Sequence, residues 1–265
     1  MNSKYYSSFL TAKLTAIIIP FFLVSCVGPT NTEMVPITRQ KANLIYCSNS
    51  PNIPMLQKKG SGQLSFSGSF GNNYNTFNGG EVQTAIAAGK HIGVMLNGFI
   101  AARRNQEASH NNKASFLDAG VGYFDKLTNR VSFEFYGGIG TGTTNNDHFT
   151  GYSKIKSTKF FLQPSIGYAA KTGKFKAGTA IRFSQNKFTI KEQLFDPSRE
   201  DFNAIEFSQL SEHPNQFLIE PSAIIRYGWN TVQFQFQYSR LLQTGERDYN
   251  MGKVRWTLGL IFQFN

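Results

Sequence analysis

From Val232 to Tyr238 apolar and polar residues alternate without a break, and this period of two constrains the fold more than any other feature of the chain. Val232, Phe234, Phe236 and Tyr238 fall on one face of an extended strand, and Gln233, Gln235 and Gln237 on the other. The last segment repeats the pattern. Val254, Trp256, Leu258, Leu260, Phe262 and Phe264 oppose Arg255, Thr257, Gly259 and Gln263. Val131, Phe133, Phe135 and Ile139 oppose Ser132, Glu134 and Tyr136, and Phe175, Ala177, Thr179, Ile181 and Phe183 oppose Lys176, Gly178, Ala180, Arg182 and Ser184. After residue 24 no apolar run approaches the roughly 20 residues of a membrane-crossing helix. Aromatics make up 14% and charged residues only 16%, yet mean hydropathy is −0.29. A barrel that crosses a membrane with every second residue apolar has this average.

Ten alternating segments run over about 62–70, 82–88, 91–101, 115–124, 130–141, 157–169, 174–188, 215–227, 231–243 and 252–264. The connections between them alternate in length. Tight turns at 89–90, 125–129, 171–173 and 228–230 separate longer loops at about 71–81, 102–114, 142–156, 189–214 and 244–251. Membrane barrels show this asymmetry, with short periplasmic turns and longer extracellular loops. The pattern predicts an all-β fold over 62–265: an up-and-down antiparallel transmembrane β-barrel of about ten strands, eight or twelve being the neighbouring counts.

Residues 1–25 read as an export signal. Lys4 and Lys13 supply positive charge, and Leu14 to Val24 is an apolar stretch too short to span a membrane. The stretch ends in Leu23, Val24, Ser25 and Cys26, which resembles the lipobox of bacterial lipoproteins. That resemblance implies transfer of a diacylglycerol to the Cys26 thiol, cleavage that leaves Cys26 as the new N-terminus, palmitate among its lipid chains, and a lipid-anchored protein of the bacterial outer membrane. No acidic cluster follows Cys26, the first acid being Glu33, so the anchor is expected in the inner leaflet, facing the periplasm. Residues 26–61 carry Pro29, Pro36, Pro51 and Pro54 with no sustained periodicity, and read as a lipidated periplasmic linker. Two apolar patches in it, Leu44 to Tyr46 and Ile53 to Leu56, are suited to pack on the barrel base or to enter its lumen. With Cys26 acylated, Cys47 has no partner in the chain and a disulfide framework is excluded.

Two further segments carry resemblances. The ending Phe262, Gln263, Phe264, Asn265 is similar to the closing strand of outer-membrane barrels, departing from it in the Asn after the last Phe. Phe160-Phe161-Leu162-Gln163-Pro164-Ser165 and Phe217-Leu218-Ile219-Glu220-Pro221-Ser222 match each other. Proline inside a sheet favours a bulge, so the match suggests either a shared bulge or a duplicated hairpin. The run from Phe160 to Tyr168 resembles small outer-membrane barrel proteins of Bacteroidetes, which implies fold and location but no activity.

The net charge is +11. In an exported chain the counterparts of this charge are anionic lipid headgroups and lipopolysaccharide phosphates rather than nucleic acid. Few residues suggest chemistry. Asp147-His148 and Glu212-His213 are acid–His neighbours in sequence, which does not make a dyad, and His91 and His110 stand apart. No short ligand spacing marks a metal site, and no cofactor is indicated. Gly137 to Gly142 continues a strand rather than opening a helix, so it reads as small inward residues and not as a phosphate loop. The polar face carries Asp118, Glu134, Lys176, Arg182, Glu220, Arg226 and Arg255, which a barrel would turn inward, either as a plug of paired charges or as a narrow polar conduit. The expected function is therefore non-enzymatic: a structural, surface-interacting or narrowly conducting envelope barrel. The alternatives are an enzyme acting on lipid or peptide at the barrel rim, and a lipid-tethered soluble binder of lipocalin type, whose apolar faces would point inward.

Overall fold

A computed structural model describes residues 44–71, 77–105, 110–148, 151–195, 202–244, 249 and 251–264. The export signal, Cys26 and the first part of the linker lie outside the described residues. Among the described residues eleven strands follow in order: β1 (Gly62–Gly71), β2 (Phe77–Ala87), β3 (Ile92–Asn105), β4 (His110–Lys126), β5 (Val131–His148), β6 (Gly151–Ala169), β7 (Phe175–Phe195), β8 (Asn215–Gly228), β9 (Val232–Arg240), β10 (Leu242–Gln243) and β11 (Val254–Phe264). One helix, α1 (Phe202–Glu212), lies between β7 and β8. Each strand from β1 to β8 pairs antiparallel with the next, β9 pairs with β11, and β11 pairs with β1. The two residues of β10 continue β9 past Leu241 and rejoin β8. The result is a closed barrel with a ten-strand wall and no free edge.

The faces follow the sequence parity. Phe66, Val82, Leu96, Leu117, Ile139, Phe160, Leu162, Phe234 and Leu258 point outward and are exposed, while Gln63, Gln83, Asn97, Gln163, Gln235 and Gln237 point inward and are buried. A soluble ligand-binding barrel has these faces reversed, so the lipocalin-type reading is set aside. On β5 the outward residues are apolar from Val131 to Ile139 and polar from Thr141 onward. Nine residues at about 3.4 Å each, tilted by about 40°, give an apolar band of about 23 Å, close to the height of roughly 25 Å found on membrane barrels. Aromatics ring both borders: Tyr123, Tyr168, Phe175 and Tyr227 near the short turns, and Phe70, Phe160, Phe217 and Trp256 at the other end.

Three expectations change. The long loops expected at 102–114 and 142–156 are mostly strand, because β3 to β7 continue beyond the apolar band. Thr143 to Asp147 have polar residues on both faces, and on Ser153 to Lys156 the outward face is lysine, so the strands persist where the outward hydrophobic pattern has vanished. His110 and His148 accordingly stand in strand ends rather than in loops. Neither proline makes a bulge. β6 keeps one register with β7 from Leu162 to Ser165, and its register shift lies at Lys154/Ile155. Pro164 and Pro221 sit on either side of Ile181, on the strands flanking β7, so the two matching segments lie at one height on the wall.

The largest departure concerns the linker. Residues 44–56 are not a periplasmic tether but an extended thread inside the barrel, every one of them buried. Prolines and an absent period are what such a thread needs, since one strand alone in a lumen has no neighbour to form a ladder with.

Candidate functional site

The lumen is stratified from the outer mouth to the turn end. At the mouth Leu44, Ile45 and Tyr46 join Phe99, Phe116, Ile155, Phe188 and Leu218 in an apolar cluster, roofed by Phe207 and Leu210 of α1 together with Tyr249 and Met251. The Tyr46 ring meets Phe116 and Phe188 edge-on, at 5.1 and 5.7 Å between centroids. Near the turn end smaller clusters form around Ile53 and Met55, and around Leu56, Ala87 and Phe124. Between these apolar layers lie Asp118, Lys159, Arg182, Glu220, Glu81 and Arg255, while Glu134, Lys176 and Arg226 stand nearer the turn end.

The thread's backbone is bonded chiefly by side chains of the wall. The Leu44 amide donates to Asn146 Oδ1 (2.9 Å), and Asn146 Nδ2 returns a bond to the Leu44 carbonyl (3.0 Å). The Ser50 amide donates to Glu81, and the Ser50 carbonyl accepts from Gln83 Nε2 at 3.1 Å. Consecutive carbonyls then accept from Gln237 (Pro51, 2.7 Å), Gln163 (Asn52, 2.5 Å) and Arg226 (Ile53, 2.7 Å; Pro54, 3.4 Å). The Leu56 amide closes the series on Glu134 Oε1 at 2.6 Å. The inward glutamines and charges thus replace the ladder partners that a lone strand lacks.

All seven lumen residues expected from parity are buried, and their partners are specific. Asp118 Oδ2 binds Lys159 Nζ at 3.0 Å and Arg182 Nη1 at 3.2 Å. Arg182 Nε donates to Gln163, and its guanidinium lies 3.9 Å from Glu220, which accepts from Ser48. Arg255 joins Glu81 (3.1 Å) to the Cys47 sulfur (3.0 Å) and covers the Phe99 ring. Arg226 also donates to Gln63 and Gln235. Lys176 takes no part in holding the thread; it donates across the wall to Gln263. Sequence reasoning missed Glu81 and Lys159. Both share parity with inward neighbours, Glu81 with Gln83 and Lys159 with Phe161 and Gln163, but Glu81 fell in a segment read as loop.

The glycine run on β5 makes room for these groups. Gly138, Gly140 and Gly142 point inward, and a Cβ on Gly140 would collide with the Asp118 carboxylate and the Lys159 stem. Gly140→Val is expected to lower stability by about 1–3 kcal/mol, the usual cost of overpacking. Gly98→Ala, where nothing lies within 4 Å of the added Cβ, is expected to leave it nearly unchanged. The temperature at which the folded, fast-migrating gel form is lost reads both variants.

The histidines are dispersed. His91 stacks on Tyr123 at the β2–β3 turn and lies 3.7 Å from Asp125, while His213 is exposed just after α1. Among the described residues no group of three His, Cys, Asp or Glu is placed to hold a metal ion.

Fold and lumen together define an antiparallel ten-strand barrel of membrane type, apolar outside and filled by a segment of its own chain. Solved structures that the chain is similar to include the translocator domain of the autotransporter NalP from Neisseria meningitidis (TM-score 0.46, 9% identity, covering 78% of this chain and 89% of that one). Ail, the attachment invasion locus protein of Yersinia pestis, aligns with TM-score 0.35 and 12% identity over 78% of this chain and 99% of its own, and the KdgM porin with 0.33 and 10% over 77% and 99%. No protein-family model matches the chain, and no curated protein does.

Proposed function

We propose that this protein is a sealed, non-enzymatic barrel of the bacterial outer membrane whose role is structural and interactive, not conductive. The observation that carries the reading is the thread. Residues 44–56 occupy the lumen, and the wall charges that a conduit would offer to solutes, Lys176 apart, are engaged with one another or with the thread. The outward apolar band supports the membrane location. Above it the outward side chains of Lys113, Lys154, Lys156, Lys187 and Lys191 form a basic fringe, suited to the phosphates of lipopolysaccharide or other anionic headgroups. The short turns face the periplasm in this reading, and the strand extensions with α1 form the surface available to partners.

Conductance tests it. The purified protein in a planar bilayer is expected to show no discrete current steps. A variant whose residues 44–56 are replaced by an equal length of Gly and Ser is expected to show them, provided its gel mobility still shifts on boiling. Steady steps from the unaltered protein would refute the sealed barrel.

A further inference from the structure

The outward face of the wall is not smooth. A groove of about 830 Å³ crosses it from β1 to β5. Its floor is open because three outward positions, Gly68, Gly80 and Gly98, carry no side chain. A Cβ added at Gly98 would meet nothing within 4 Å, and one at Gly80 only the Ser67 carbonyl oxygen at 4.0 Å. Phe66, Val82, Ile100 and Leu117, all exposed, form its sides.

Strand register gives the groove its course. One cross-strand row runs through Gly68, Gly80, Ile100, Ser115 and Thr143 and reaches Lys156 on β6. The row beside it runs through Phe66, Val82, Gly98, Leu117, Thr141 and Thr158 and reaches Lys187 on β7. Rows perpendicular to strands tilted by about 40° climb about 3 Å per strand, so about 15 Å from β1 to β6. The climb leads out of the apolar band. Gly68 lies one outward position inside Phe70, at the border of the band, whereas Thr143 stands four positions beyond Ile139, the last apolar outward residue of β5. The groove is therefore apolar at its low end, lined by the hydroxyls of Ser115, Thr141 and Thr143 at its high end, and overlooked there by exposed lysines. Lys113, two positions past Ser115 on β4, joins Lys156 and Lys187. The acids nearby stand farther from the band. Asp147 is four positions past Thr143, and Glu192, five past Lys187, is bound by Lys154 at 3.3 Å.

We infer that this groove is a lipid site: it seats an acyl chain of lipopolysaccharide, whose phosphates lie against Lys113, Lys156 and Lys187. The three cations are spread from β4 to β7, about 14 Å across the strands, which suits a headgroup carrying more than one phosphate. A phospholipid offers one. The inference rests on the orientation given under Proposed function, which puts the lysine end of the groove in the outer leaflet, where this glycolipid resides.

Titration of the folded barrel, stripped of lipid in a neutral detergent, tests it. The probe is bisphosphorylated lipid A, and native mass spectrometry counts the bound molecules. One lipid A per barrel is expected, with phosphatidylglycerol a poor competitor. Gly98→Leu, which raises a side chain from the groove floor, is expected to weaken binding by about tenfold, the worth of one or two buried methylenes. Lys156→Gln with Lys187→Gln is expected to weaken it by about 25-fold, near fivefold for each lysine, and to remove the preference for lipid A over its dephosphorylated form. Ala119→Phe, on the same face of β4 but outside the groove, is expected to leave binding unchanged. Binding that withstands both the groove and the lysine changes overturns the site, and phosphatidylglycerol binding as tightly as lipid A overturns the occupant. A barrel that stays folded and soluble once detergent is removed refutes the membrane reading, and the lipid site falls with it. One that needs detergent yet binds no lipid A refutes the site alone. Boiling-dependent mobility reports that each variant has folded, and Gly80→Val replaces Gly98→Leu if that variant has not.

Discussion

Replacing Asp118 with leucine is expected to lower the stability of the barrel by about 3–5 kcal/mol, the cost of breaking a buried ion pair and leaving its partner charged. Two cations share one oxygen of this carboxylate, Lys159 at 3.0 Å and Arg182 at 3.2 Å, and all three side chains are fully buried. Without Asp118 they face each other, with only Glu220, 3.9 Å from Arg182, as an acidic neighbour. The fourfold variant Asp118→Leu, Lys159→Met, Arg182→Met, Glu220→Gln is expected to recover most of the loss, because it leaves no uncompensated charge in the cluster. The urea midpoint of the boiling-sensitive gel form, in detergent, measures both. If the single and fourfold variants are equally destabilised, the cluster is not what the charges contribute.

The second large effect concerns Arg226. Its guanidinium satisfies two thread carbonyls and two glutamines. Arg226→Met leaves the Ile53 and Pro54 carbonyls buried without a donor, at about 1–3 kcal/mol each. Unlike loss of Asp118, this strikes the thread rather than the wall, so the barrel is expected to stay closed while the thread loosens near the turns. Met55→Cys makes the distinction measurable. It is expected to resist a small thiol reagent in the otherwise unaltered protein and to react in the Arg226→Met background, with Arg226→Lys between the two. Equal resistance in all three would show that the thread is held without Arg226.

Much of this architecture was legible in the sequence, because a membrane barrel makes its two faces chemically unlike. Val232 to Tyr238 could be assigned to lipid and lumen by parity alone, as could the seven inward charges. Legibility failed where the two environments become alike. Beyond the apolar band both faces of β5 meet water or polar side chains, so Thr143 to Asp147 carry no contrast to read. The thread was illegible for a related reason. Its residues are surrounded on all sides and bonded through their backbone, so no face of it needs a pattern. Only the apolar patches at Leu44 to Tyr46 and Ile53 to Leu56, which lie in the two apolar layers, hinted at its place. Arg226 could be read as an inward charge, but its pairing with two carbonyls of the thread could not.

The occupied lumen also constrains the order in which the molecule can be made. β1 follows the thread directly in sequence, and its pairing with β11, the last strand of the chain, closes the wall. A wall that closed empty would have to admit thirteen residues afterwards, past partners that are charged and already desolvated. The low-cost route is for the sheet to curl around a thread already laid along β5, so that β11 arrives last and seals a filled cylinder. Residues 44–56 then act as the mandrel on which the barrel is wound, and variants that weaken the thread should slow insertion into the membrane more than they weaken the finished protein.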